Sequence, residues 1–353
     1  MLHESGLRGA AFPYSPVPTL PNGTRRPPLP HLFHLHIAKM AGRSLMLDAP
    51  TWLETHKCSW SANLSFYGHE RELANRISSE AGSVAPCFIS YEASYRDIGP
   101  AYVKAVGRGP TVIVMLRSAM SWVVSAAEHF QRPNQGCQPF PCHRNDGLED
   151  LVASGCFWQP GQPKANAALA TDAAKCTSPS KGNYAFPKFA VGRLAGMGAV
   201  SPQSSMAQVE RVVAEVRQLI ENSLVGLTEA YTASLCLFRH QLGLPIDAYA
   251  ACSSLCSAGG SARRRDSVRR LQQLAQIGGS SAGEPALLLP RHIANPSVDA
   301  AMQLNISNAL SAESLKVVER AMLMYTRIYA HGSDIFLRRV TEAEGRARVR
   351  LLC

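Results

Sequence analysis

Thr111-Val112-Ile113-Val114-Met115-Leu116 passes directly into Arg117-Ser118 and then into the segment from Met120 to Phe130. After Thr111 the first run is apolar, and its β-branched content is that of a strand covered on both faces. The Met120–Phe130 segment has helical spacing, so the chain reads here as strand, tight turn, helix. That unit is the building block of a parallel sheet, because parallel neighbours need a crossover long enough to hold a helix.

A second unit of this kind lies upstream. Leu32-Phe33-His34-Leu35-His36-Ile37 has the length of a buried strand and leads through small residues into another apolar stretch. Cys87-Phe88-Ile89-Ser90-Tyr91 also reads as a strand. Downstream, Ser201-Pro202 can cap and start a helix whose apolar face is Val209, Val212, Val213, Val216, Leu219 and Ile220. Leu224-Val225-Gly226-Leu227 predicts a further short strand, and Tyr231, Leu235, Phe238 and Leu242 a helical stripe before Gly243. Leu315, Val318, Met322, Tyr325, Ile328 and Tyr329 predict a last helix that ends at Gly332. The alternation implies an α/β fold with a doubly wound, mostly parallel central sheet flanked by helices.

Around this core the sequence divides into 1–31, a Pro-rich flexible stem; 32–340, the folded domain; and 341–353, an Arg-rich basic tail. Inside the domain, residues 131–187 form an irregular stretch holding Cys137, Cys142, Cys156 and Cys176, and residues 253–283 a basic insertion with Arg263-Arg264-Arg265.

With 353 residues, 46% of them hydrophobic and 18% charged, the chain buries a large core and is no disordered protein. Thirty-six Lys and Arg against 26 Asp and Glu give a net charge of +10, a field that attracts an anionic partner. A nucleic acid, an acidic glycan, a nucleotide and a membrane surface all satisfy it, and charge does not choose among them. The ten cysteines lack paired zinc-ligand spacing, which argues for disulfides or free thiols over a structural metal site; Cys252 and Cys256 alone are weak metal evidence. Sequons at Asn22, Asn63 and Asn305 agree with a secretory route. No apolar run reaches the roughly 18 residues of a membrane span, and no signal-peptide pattern opens the chain.

The two strand-turn-helix units are also the two candidate anion cradles. In His36-Ile37-Ala38-Lys39-Met40-Ala41-Gly42-Arg43-Ser44-Leu45, small residues let backbone amides approach an anion at a helix start, Lys39 adds charge and Ser44 a hydroxyl. Lys39 precedes the glycine, so this is no Walker A loop, and neither a Walker-type lysine nor an acidic magnesium ligand is evident. In the second unit Arg117 stands at the end of a strand, with Ser125 eight residues on in the helix.

These motifs carry a resemblance. IAKMAGRSL resembles the IPKTGGTSL-type loop of Golgi-type carbohydrate sulfotransferases of the P-loop-like fold, and VIVMLRSAMSWVVSAAEHF their LRDPVERFLSHYYHF segment. GNYAFPKFAVGRLAG, from Gly182 to Gly196, resembles the family's N-Y-x-x-R-x-L-x-G region, and VGLTEAYTASLCLFRHQLG its strand and helix with G-L-T-E near the start. The four matches run in order from Phe33 to Gly243. Ala38 stands where the family has Pro, Met40 and Ala41 where it has Thr and Gly, Arg43 where it has Thr, and Ser118-Ala119 where it has Asp-Pro.

The resemblance implies transfer of a sulfuryl group from 3'-phosphoadenosine 5'-phosphosulfate (PAPS) to a hydroxyl of an anionic carbohydrate or glycoconjugate, without a metal and with no nucleic acid as partner. Lys39, Ala41, Gly42, Arg43, Ser44 and Leu45 would hold the 5' end of PAPS, Lys39 also steadying the leaving group; Arg117 and Ser125 would hold the 3'-phosphate. The base would be Glu92, after the Cys87–Tyr91 run, or His69 in Tyr67-Gly68-His69-Glu70. The Golgi lumen is the implied compartment. The competing reading is a non-catalytic, basic glycan- or nucleic-acid-binding protein on the same fold.

Overall fold

The computed structural model describes residues 32–37, 40–42, 44, 45, 48, 88–91, 103, 109–131, 148–153, 157, 186–196, 199–201, 204–253, 310–347 and 350–352. Among the described residues four strands form one sheet: β1 (Leu32–Leu35), β2 (Phe88–Tyr91), β3 (Thr111–Leu116) and β4 (Leu224–Leu227). Their spatial order is β2-β1-β3-β4, and every pairing is parallel, with Leu32 opposite both Phe88 and Thr111, and Ile113 opposite Leu224. The described side chains of these strands are all buried, as expected for a parallel sheet covered on its faces.

The helices are α1 (Ala119–Gln131), α2 (Leu148–Ala153), α3 (Phe186–Ala195), α4 (Met206–Glu221), α5 (Tyr231–Gln241), α6 (Ala250–Ser253) and α7 (Ala312–Ala347), with a 3-10 turn at Thr228–Ala230. This is a small parallel sheet flanked by helices, the α/β architecture that the strand-turn-helix pattern predicts. The predicted face of α4 is buried residue for residue. Its start is corrected: Ser205, not Ser201, is the N-cap, accepting from the Gln208 amide at 3.2 Å, while Ser201 and Ser204 close a turn just before it.

Two helices contradict the sequence reading. The stretch 131–187, expected to be irregular, contains α2 and the start of α3; Pro187 lies in the first turn of α3, where a missing amide costs nothing. The last helix does not end at Gly332. It continues to Ala347 and buries Ile335, Phe336, Val340 and Ala343 beyond that glycine; Leu351 and Leu352 are buried too.

Gly332 serves packing. A Cβ there would collide with the Leu116 side chain at the end of β3, so the glycine lets α7 lie against the sheet. Gly243 behaves as expected, with φ 72°; the Gly243 and Leu244 amides donate to the His240 and Arg239 carbonyls, the double bond pattern that closes a helix through a left-handed residue. α7 packs against α1, α2, α3, α4, α5 and β4. Among the described residues no helix is long and apolar enough to cross a membrane.

Candidate functional site

The chain leaves β1 to form β2 on one side, then returns to form β3 on the other. The order of strands therefore reverses between β1 and β3, and their carboxyl ends open side by side on one edge. In open α/β sheets that crevice is where ligands bind.

After β1 the backbone turns tightly, the Met40 amide donating to the Ile37 carbonyl at 3.1 Å. Ala41 comes next with φ 58°, left-handed backbone that an alanine rarely adopts, and at the position where the resembling family carries glycine. A helical segment starts at once, with the Leu45 amide donating to the Ala41 carbonyl at 2.9 Å. Gly42 is buried against the His36 imidazole, and a Cβ there would collide with the ring at its Cδ2. Leu45 is buried and Ser44 exposed, so the first helical turn presents its hydroxyl to solvent over an apolar floor.

After β3, the Arg117 and Ser118 backbone is held from two directions. The Ser118 amide donates to Glu229 Oε1 at 2.6 Å, and the Thr228 hydroxyl to the Leu116 carbonyl at 3.0 Å, so the turn after β4 fastens the end of β3. From α7, the Tyr325 hydroxyl accepts from the Arg117 amide at 3.3 Å and donates to the Arg117 carbonyl at 2.8 Å. The same hydroxyl lies 3.4 Å from Met40 Sδ in the loop after β1. One buried phenol therefore touches both loops.

Glu229 is itself buried, and burial raises its carboxyl above the ordinary value against the opposing pull of the Ser118 amide and Arg117. Among the described residues, its Oε2, the Tyr329 hydroxyl and the Ser333 hydroxyl have no partner at full hydrogen-bond geometry, although Tyr329 interacts with both of the others. Tyr329 and Ser333 each bring a donor, and a proton on Oε2 would add a third that the Tyr329 oxygen can accept.

Beneath the first loop, His34 and His36 stack at 5.5 Å between ring centroids. His34 Nδ1 meets Ser90 Oγ at 2.9 Å across the β1–β2 pair. Burial keeps both imidazoles neutral, pushing His36 down to about 4 with help from the nearby Arg193 of α3; burial also lowers Arg193, to about 10.

Of the residues singled out in the sequence, Ala41, Gly42, Ser44 and Leu45 lie at the turn and helix start after β1, and Arg117 is half-exposed just beyond β3, on the same sheet edge. Ser125 lies within α1 and is buried. Lys39, Arg43, His69 and Glu92 lie outside the described residues; Glu92 is next in sequence to the last residue of β2. Sequence reasoning missed Glu229 and Tyr325. Glu229 stands in the G-L-T-E run and carried a signal, but Tyr325 reads as one more residue of an apolar stripe, and its contact with Arg117 spans 208 positions. Among the described residues no group of three or more His, Cys, Asp or Glu side chains could hold a metal ion. Cys252 pairs with Cys236 in a disulfide.

In comparisons with known proteins the chain matches no family model, no curated protein and no solved structure.

Proposed function

We propose that this protein is a sulfotransferase that moves a sulfuryl group from PAPS to a hydroxyl of a carbohydrate acceptor, on a doubly wound P-loop-like sheet. The observation that carries the reading is the adjacency of β1 and β3, which brings the Ala41–Leu45 turn and Arg117 to one edge of one sheet. A donor with phosphate at both its 5' and 3' positions needs two anion sites at a fixed separation, and neighbouring parallel strands supply that arrangement.

The residues fit such a donor unevenly. Ser44 is exposed and Arg117 partly so, and the turn at Ala41-Gly42 allows close backbone approach. The Ser118 amide is already taken by Glu229, so the 3' end would depend on the Arg117 guanidinium and the Ser125 hydroxyl. PAPS supplies the sulfuryl group. The acceptor oxygen bonds to sulfur as the sulfur bond to the 5'-phosphate oxygen breaks, and the acceptor proton passes to Glu92 or His69. Lys39 offers positive charge to the departing oxygen, leaving a sulfate ester and adenosine 3',5'-bisphosphate.

Isothermal titration with adenosine 3',5'-bisphosphate is the first test. The parent chain binds it, and Arg117→Ala weakens binding by about 2 to 4 kcal/mol. Equal affinity in a folded Arg117→Ala protein would remove Arg117 from the 3'-phosphate site. The second test is transfer of labelled sulfate from PAPS to a glycan panel. Salt-sensitive binding of polyanions with no transfer to any acceptor would favour the non-catalytic binding protein instead.

A further inference from the structure

We propose that the Tyr325 hydroxyl is a positioning group that couples the loop after β1 to the loop after β3, so that ordering either loop orders the other. Three contacts carry this. The hydroxyl accepts from the Arg117 amide, donates to the Arg117 carbonyl and lies against Met40 Sδ. A phenol has one proton, and the Arg117 carbonyl at 2.8 Å takes most of it; the sulfur at 3.4 Å holds the weaker share.

The ring is placed before the hydroxyl acts. Tyr325 is fully buried in α7, and its ring lies 6.0 Å from that of Trp122, at a 41° tilt. Trp122 belongs to α1, the helix that Arg117 and Ser118 introduce, and its amide donates to the Ser118 carbonyl at 2.9 Å. The phenol thus stands on the helix after one loop and reaches across to the other. Met40 and Arg117 follow neighbouring parallel strands, whose register fixes how far apart the two loops start. A displacement of either loop must break a contact at the same oxygen.

The functional consequence rests on the sulfuryl-donor reading. A ligand anchored only at the loop after β1 would stiffen the loop after β3 through Tyr325, preparing Arg117 for a second phosphate. Adenosine 3',5'-bisphosphate would then bind more tightly than its two halves suggest, since the second contact meets a loop already ordered.

The test is Tyr325→Phe, which keeps the ring and the Trp122 contact and removes the oxygen. In the ligand-free protein, amide exchange should quicken at Met40 and Leu45 as well as at Arg117 and Trp122, while far-ultraviolet circular dichroism stays that of the parent. Quickening at Arg117 alone, or at neither loop, overturns the coupling whatever the ligand proves to be. Adenosine 5'-phosphate should slow exchange at Trp122 in the parent but not in Tyr325→Phe, and equal slowing in both also overturns it. The affinity of the variant for the bisphosphate should fall about tenfold. A parent protein that binds no bisphosphate refutes the sulfuryl-donor reading, and the ligand-free exchange comparison still decides the coupling.

Discussion

Ala41 shows how one residue constrains the site. Its φ of 58° places a Cβ where left-handed backbone crowds the carbonyl, at a cost of about 1 to 2 kcal/mol. Glycine removes the crowding but adds unfolded-state entropy, so Ala41→Gly should raise stability by less than about 1 kcal/mol. Urea denaturation measures this, and a clear loss of stability would mean that the turn is built some other way. Its neighbour Gly42 has no such latitude, because the His36 ring occupies the space any side chain would take. The spacing of Ala41, Gly42 and Ser44 made this turn legible in the sequence. The demand on Gly42 was not legible, since it comes from a ring that meets the loop only once β1 is paired on both sides.

At the scale of elements, the sequence spoke clearly wherever one segment carried its own reason to fold. β3 is apolar after Thr111, α4 has an uninterrupted apolar face, and β4 is a short run before a turn. It misled at α7, where Gly332 resembles Gly243 in composition but not in conformation. Gly243 has positive φ and stops its helix, whereas Gly332 lies inside one and makes room for Leu116. Only the facing strand tells the two glycines apart.

The disulfide between Cys236 of α5 and Cys252 of α6 was equally unreadable, since ten cysteines allow many pairings. It joins positions 16 apart in sequence, a span that also holds the Arg239 bond to the Pro245 carbonyl, and the Arg239 guanidinium lies 5.5 Å over the Tyr249 ring. Cys252→Ser should cost about 3 kcal/mol by freeing that loop in the unfolded chain. The urea midpoints of the parent, with and without reductant, provide the check; identical midpoints would argue that the bond does not form.

For the molecule as a whole, buried ionisable groups set opposing trends with pH. His34 and His36 titrate below their ordinary value of 6.5 when folded. The unfolded chain therefore takes up protons first, and stability drains away as pH falls from 6.5 towards about 4 for His36. Glu229 has the reverse sign. Its folded value is raised, so the folded state holds the proton longer, and stability declines as pH rises above the ordinary carboxyl value of 4.5. Arg117, Tyr325 and Tyr329 are its charged and titratable neighbours. Glu229→Gln keeps an oxygen for the Ser118 amide and offers Tyr329 a donor, without a charge to desolvate. The variant should gain on the parent as pH rises from about 5 to about 8, measured by urea denaturation. If the parent gains instead, the carboxylate is held ionised.

α7 touches α4 through the Arg327 fork on Glu210 at 2.6 and 2.7 Å, and Arg339 donates to the Glu221 and Ser223 carbonyls at the end of α4. It also supplies the phenol that meets both loops at the sheet edge. On a ribosome all four described strands emerge before this helix does. The nascent sheet must therefore wait, with its two loops untied, until this helix has been translated, and a holding chaperone would find its opening in that interval.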